Sequence, residues 1–188
     1  MRRLICISAV AMLAGCSQSV TDYQSQTPVL ALNTFFNGHS QAFGVVHDWQ
    51  GKQSVRFTAQ LCGSWQGQQG DLYEVFDFSD GRVEKRHWRL TQYPDGRVSG
   101  TASDVSGEAS GQLAGNTLYW QYQLNLMYQG DTTEVKVKDW LYLIDNNNLI
   151  NRSTLHKFGL TVGEITLAIQ KLDTDDDCTA LKQKMAGI

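Results

Sequence analysis

Between residues 117 and 144, apolar and polar side chains alternate more cleanly than anywhere else in the chain. Leu118, Trp120, Tyr122, Leu124 and Leu126 fall on one face, and Tyr119, Gln121, Gln123, Asn125 and Met127 on the other, the period of two expected of a half-buried strand. After a turn at residues 129–131 the apolar row resumes with Val135, Val137, Leu141 and Leu143, and Asp139 sits in its middle. A carboxylate there needs a partner or a wet cavity, because an unpaired charge in an apolar interior is strongly unfavourable.

The same period recurs on both sides of this hairpin, over residues 41–49, 54–65, 71–78, 82–93, 149–158 and 162–171. Turn residues separate these runs: Gln50-Gly51, Asp80-Gly81, Pro94-Asp95-Gly96 and Gly115-Asn116. Residues 98–105 and 107–113 are mostly small, which predicts two strands where backbone is approached closely. The pattern therefore predicts an all-β fold, an antiparallel up-and-down barrel of about 8–10 strands joined by hairpins. Leu30, Leu32, Phe35 and Phe36 precede the first strand and are apolar enough to plug one end. Past residue 173 acids give way to lysines, the charge order of a short C-terminal helix. Asp173, Asp175 and Asp177 have the spacing of calcium-loop ligands, but the required glycine and closing Glu are missing.

The first fifteen residues lie outside this fold. Met1-Arg2-Arg3 is followed by an apolar run too short for a permanent span, which is a secretory signal pattern. Leu13-Ala14-Gly15-Cys16 resembles a bacterial lipobox; that resemblance implies acylation of Cys16 and, with Ser17 next, an outer-membrane anchor with the domain facing the periplasm. The expected organisation is a signal at 1–15, a lipidated flexible tether at 16–28, the barrel at 29–172 and an acidic tail with its helix at 173–188. Cys62 and Cys178 are then the only thiols left, in an oxidising space, and a disulfide joining them is expected.

The chain has 188 residues, 41% hydrophobic and 19% charged, enough for one core, and a net charge of -3. No extended basic cluster is present, which excludes ordinary nucleic-acid binding. His39, His47, His87 and His156 show no metal spacing, and no cofactor fingerprint, P-loop or nucleophile elbow occurs, so neither a metal nor a cofactor is expected. Gly63-Ser64-Trp65 ends the second strand rather than the first, so Trp65 reads as core. What remains is a set of ionisable groups on apolar faces: Glu74 between Leu72 and Phe76, Arg86 beside Trp88, Asp139 between Val137 and Leu141, and Arg152 between Ile150 and Thr154. Internal ion pairs and a ligand cavity both account for them.

Several of these residues belong to a recognisable pattern. Asp139-Trp140-Leu141-Tyr142-Leu143 with Asp145, Leu149-Ile150-Asn151-Arg152, Lys157-Phe158-Gly159 and Val162-Gly163-Glu164-Ile165 resemble the C-terminal half of an uncharacterised family of proteobacterial lipoproteins. Phe35-Phe36-Asn37-Gly38, Glu74 with Phe76, Arg86 with Trp88, and Asp104 with Gly107 extend the resemblance across the domain. It implies a lipocalin-like barrel of unknown function associated with lipid-modification loci, and it supplies no catalytic residue. The expected function is a monomeric, membrane-anchored binding or carrier protein for a fatty-acid or phospholipid-like ligand, held by Glu74, Arg86, Trp88, Trp120, Tyr122, Asp139 and Arg152. Two other classes fit the same residues: a hydrolase- or isomerase-like enzyme using Glu74 and Asp139, and a structural envelope lipoprotein with a filled barrel.

Overall fold

The computed structural model describes residues 18–128, 130–174 and 178–186. These form ten strands: β1 (Gly38–Asp48), β2 (Gln53–Gln66), β3 (Gln69–Phe78), β4 (Val83–Gln92), β5 (Arg97–Thr101), β6 (Val105–Ala114), β7 (Thr117–Tyr128), β8 (Asp131–Leu143), β9 (Asn148–Lys157) and β10 (Leu160–Lys171). Each pairs antiparallel with its sequence neighbours, and β1 closes on β10 with Ser40 opposite Lys171, so the sheet is a barrel without a free edge. The opening hairpin is β7 and β8, with Trp120 directly opposite Asp139.

Alternation becomes inside and outside. Leu72, Trp88, Leu90, Leu118, Trp120 and Leu149 point into the main core. Where Trp120 leans across the interior, β5 and β6 supply Gly100 and Gly111, at which any Cβ would collide with its indole ring or neighbouring side chains. That is the close approach predicted from the small residues of this stretch.

One end of the barrel is stoppered. Leu30, Leu32, Phe35 and Phe36 are all buried, and Leu32–Phe35 forms a single helical turn, α1. The Lys171 ammonium donates to the carbonyls of Thr34, Phe35 and Asn37 at 2.5, 3.2 and 2.9 Å, satisfying the end of that turn with a cation where the backbone dipole favours one. One turn is too short to show a helical period, so nothing in the pattern marked it as helix.

Helix α2 (Thr179–Ala186) lies on the outer face of β2 and β3. Cys62, turned outward from β2, is bonded to Cys178 with a Cα–Cα distance of 5.6 Å. Val75, Leu181, Tyr73 and Met185 pack around the bond as a second apolar cluster. The expected disulfide and C-terminal helix are both present.

Residues 18–28, expected to be a flexible tether, are instead folded onto the barrel. Val20–Tyr23 makes a 3-10 turn, with the Ser19 amide donating to the Asp22 carboxylate at 2.8 Å. The Tyr23 ring lies 6.0 Å from Trp140 and 5.6 Å from Tyr142, both outward-facing on β8, and Gln18 donates to the Tyr142 hydroxyl at 3.1 Å. Three aromatic rings in contact offset the ordering of a polar segment. From Gln18 onward the described residues hold the closed barrel, three apolar clusters and the disulfide. Cys16 lies outside the described residues.

Candidate functional site

The barrel encloses a chamber of about 1090 Å³. It begins at Leu32 and Phe36 of the stopper and runs to the opposite end, where Trp49, Met127 and Val162 border it. Apolar side chains from nearly every strand line it, among them Phe57 and Leu61 of β2, Leu124 of β7 and Ile165 of β10. Trp88 stands edge-on to Trp120 and Tyr122 at 5.7 and 5.3 Å between ring centres. The volume is at the upper end for a pocket that takes one small organic ligand.

A charged cluster crosses the middle of these walls. Cross-strand pairing sets Glu74 of β3 opposite Arg86 of β4 and Asp139 of β8 opposite Ser153 of β9. Arg86 is held chiefly by Asp104, which precedes β6: Nε and Nη2 both donate to its Oδ2 at 2.8 Å. Glu74 is the weaker partner, 3.9 Å from Nη1. Arg86 also lies within 6 Å of the Phe76 and Trp88 ring centres, at 5.6 and 5.9 Å. The Tyr122 hydroxyl donates to Asp139 at 3.3 Å, and Ser153 donates to Asn151 at 3.0 Å beside it.

Three carboxyls therefore face one guanidinium, and the surplus sets the proton affinities. Burial, with the charges of Asp104 and Asp139 adding to it against the pull of Arg86, pushes the Glu74 carboxyl up to about 7. Burial also raises Asp139, tempered by Ser153, Asn151, Tyr122 and Arg86. Tyr122 is pushed well above its ordinary value by burial and by Asp139. Burial alone would lower Arg86, but Tyr122, Glu74 and Asp104 more than offset it. One oxygen each of Glu74, Asp104 and Asp139 is buried without a hydrogen-bond partner among the described residues.

Of the side chains expected to meet a ligand, Glu74, Arg86, Trp88, Trp120, Tyr122 and Asp139 all line this chamber. Arg152 does not. It points outward from β9, with 58% of its side chain exposed, and pairs with Glu164 of β10 at 3.4 Å. The inward residues of β9 are Leu149, Asn151, Ser153 and Leu155. Asn151 and Ser153 were missed because they are polar on a face that alternation assigns to apolar residues. Asp104 was visible only as part of the family pattern: a strand was expected over residues 98–105, whereas β5 ends at Thr101 and Asp104 lies in the turn before β6. Among the described residues one grouping has the chemistry of a metal site, His39 with Cys62 and Cys178, and its two sulfurs are bonded to each other.

Residues 10–171 match the model of a family described as "Protein of unknown function (DUF3833)". No curated protein matches the sequence. Among solved structures, the S-type phycobiliprotein lyase CPES from Guillardia theta is similar with a TM-score of 0.57 at 10% identity, over 78% of this chain and 95% of its own. A protein of unknown function from the DUF3598 family of Nostoc punctiforme is similar with a TM-score of 0.53 at 11% identity, over 78% of this chain and 51% of its own. At such identities the likeness is one of fold, and the architecture is that of a lipocalin-like barrel.

Proposed function

Because the chain belongs to the DUF3833 family, whose description assigns no activity, we propose its function from the chamber itself: it binds or carries one amphipathic, lipid-like molecule. The observation that carries this reading is a chamber of about 1090 Å³, stoppered at one end and lined mostly by apolar side chains, that still holds buried carboxyl oxygens without a hydrogen-bond partner among the described residues. A filled structural barrel has little use for such groups, since Arg86 and the neighbouring hydroxyl and amide groups return only part of the desolvation that each costs. A ligand supplies the missing partners. Its apolar body lies against Trp88, Trp120 and Leu124, and its polar group sits at Glu74 and Asp139.

The charge balance refines the polar group. Arg86 is already held by Asp104, and two further carboxyls stand nearby, so a second fixed negative charge is disfavoured. A hydroxyl, an amide, an amine or a protonated acid fits better than a phosphodiester, because each brings protons to the orphaned oxygens. We further propose that Cys16 is acylated and that the domain works in the periplasm from the outer membrane, on the support of the signal and lipobox pattern.

Solvent extraction and native mass spectrometry of the chain from Gln18 test the binding reading. A co-purifying amphiphile, or saturable uptake of a fluorescent fatty acid, is the expected result. Leu124→Trp should weaken that uptake at least about tenfold by filling the chamber while leaving the melting temperature within a few degrees. A protein that takes up no apolar probe sinks the reading. One observation favours a second: a carboxyl near pH 7 is also poised as a general acid. In that case the extracted molecule is chemically altered by the wild type and intact in Glu74→Gln.

A further inference from the structure

Exposed apolar side chains gather at the unstoppered end. Trp49 of the β1–β2 turn is 72% exposed, Phe158 of the β9–β10 turn and Leu160, the first residue of β10, are 93% and 71% exposed, and Val83, Met127 and Val162 join them. The turns at the stoppered end carry Gln68, Asp95, Asn116 and Asn147 instead, and the exposed apolar residues near them are Val29 and Ile144.

The β9–β10 turn shows that this is more than ordinary surface. Phe158 and Gly159 both have positive φ, 51° and 81°, the backbone of a two-residue turn in which Asn, Asp or Gly ordinarily comes first. A phenylalanine with positive φ is disfavoured. The chain accepts that local strain to hold an aromatic ring almost wholly in solvent, and such strain is found where a side chain has an external task. The Lys157 ammonium lies 5.6 Å from the centre of that ring. Lys136 projects outward on β8 directly opposite His156, two residues before the Phe158 turn, whereas Lys138 lies further along the wall opposite Thr154. Among the described residues neither Lys136 nor Lys157 is paired with a carboxylate; the acids of this end are Asp48, Asp80, Glu84, Asp131 and Glu134, and Arg82 pairs with Asp80 and Glu84.

We propose that the open end of the barrel is a docking surface for a phospholipid bilayer: Trp49, Met127, Phe158 and Leu160 enter the head-group layer while Lys136 and Lys157, which flank Phe158, face its phosphates. Exposed apolar tips with two ammonium groups beside the most exposed ring are what an interfacial binder presents to phospholipid head groups, whereas a rim of wholly polar turns would remain in water. The chamber opens at the centre of this surface, so a molecule leaving the bilayer need not cross water to reach Trp88 and Trp120. Docking itself does not depend on the chamber's having a ligand.

The test uses the chain from Gln18 with mixed phosphatidylethanolamine–phosphatidylglycerol vesicles, measuring cosedimentation and quenching of tryptophan fluorescence by brominated acyl chains. Wild-type protein should cosediment and be quenched. The double variant Phe158→Ser, Leu160→Ser should lose about tenfold or more in vesicle affinity, with its melting temperature and fatty-acid uptake unchanged. Lys136→Glu with Lys157→Glu should cost about tenfold and flatten the dependence on salt. The proposal is overturned if wild-type protein stays in the supernatant, or if the rim variants bind as well as it does. It is overturned equally if sedimentation velocity shows a dimer that the Phe158, Leu160 variant dissolves, because the rim then covers a second copy. Fatty-acid uptake without vesicle binding leaves the chamber reading standing and removes this one; vesicle binding without uptake does the reverse.

Discussion

Inside the barrel the Glu74 carboxyl keeps its proton up to about pH 7, whereas the unfolded chain releases it near the ordinary value of 4.5. A raised carboxyl of this kind stabilises the fold fully below the unfolded value, and the contribution is lost as pH rises through the folded value, because there the folded state binds the extra proton. Asp139 is shifted in the same direction and adds to the same slope. Unfolding free energy in urea should therefore fall between about pH 5 and about pH 8, by up to about 3 kcal/mol from Glu74 alone. Glu74→Gln, neutral throughout, should flatten that slope; a variant that keeps it in full would move the source elsewhere. Arg152 shows where reading at this scale goes astray. Hydrophobicity assigned Ile150, Arg152 and Thr154 to the interior, but the interior of β9 had been given to Asn151 and Ser153, which stand beside Asp139, and Ile150 was left 36% exposed. Period locates a face by its apolar residues, so a functional polar face inverts the assignment.

Most elements were legible because each announces itself by alternation or turn chemistry. The ten strands, the stopper and the small-residue pair β5 and β6 follow from the sequence in this way. Helix α2 was legible through its charges, but its seat was not: it depends on Cys62 turning outward beside Val75, a relation between β2 and β3. The disulfide spans 116 residues of sequence, and in the chain-entropy account a loop of that size contributes about 4 to 5 kcal/mol. Cys178→Ser should lose a large part of this, lower the urea midpoint and open the chain near α2 to proteases before the barrel unfolds. A thiol assay on the unfolded, unreduced chain from Gln18 should detect no free thiol. The segment 18–28 was misread because composition alone makes it a linker, and the rings that Tyr23 packs against, Trp140 and Tyr142, lie more than a hundred positions away.

Whether a barrel is hollow is a property of the whole molecule, set by volumes summed across all its walls, and alternation along any one strand does not encode it. The same holds for the separation of a polar stoppered end from an apolar open one. The clamp on Tyr23 then fixes a distance. Gln18 is fastened to Tyr142 beside the stopper, and the two residues back to Cys16 reach at most about 7 Å. The rim lies roughly 28 Å away along β8, allowing for the tilt of barrel strands. If Cys16 is acylated as proposed, the bilayer that holds it carries the barrel as a post, opening outward, and the surface the rim can touch belongs to a different vesicle from the one the barrel stands on. Acylated protein in donor liposomes should draw acceptor liposomes into pairs, seen as rising turbidity, and the Phe158→Ser, Leu160→Ser protein should leave the two populations apart.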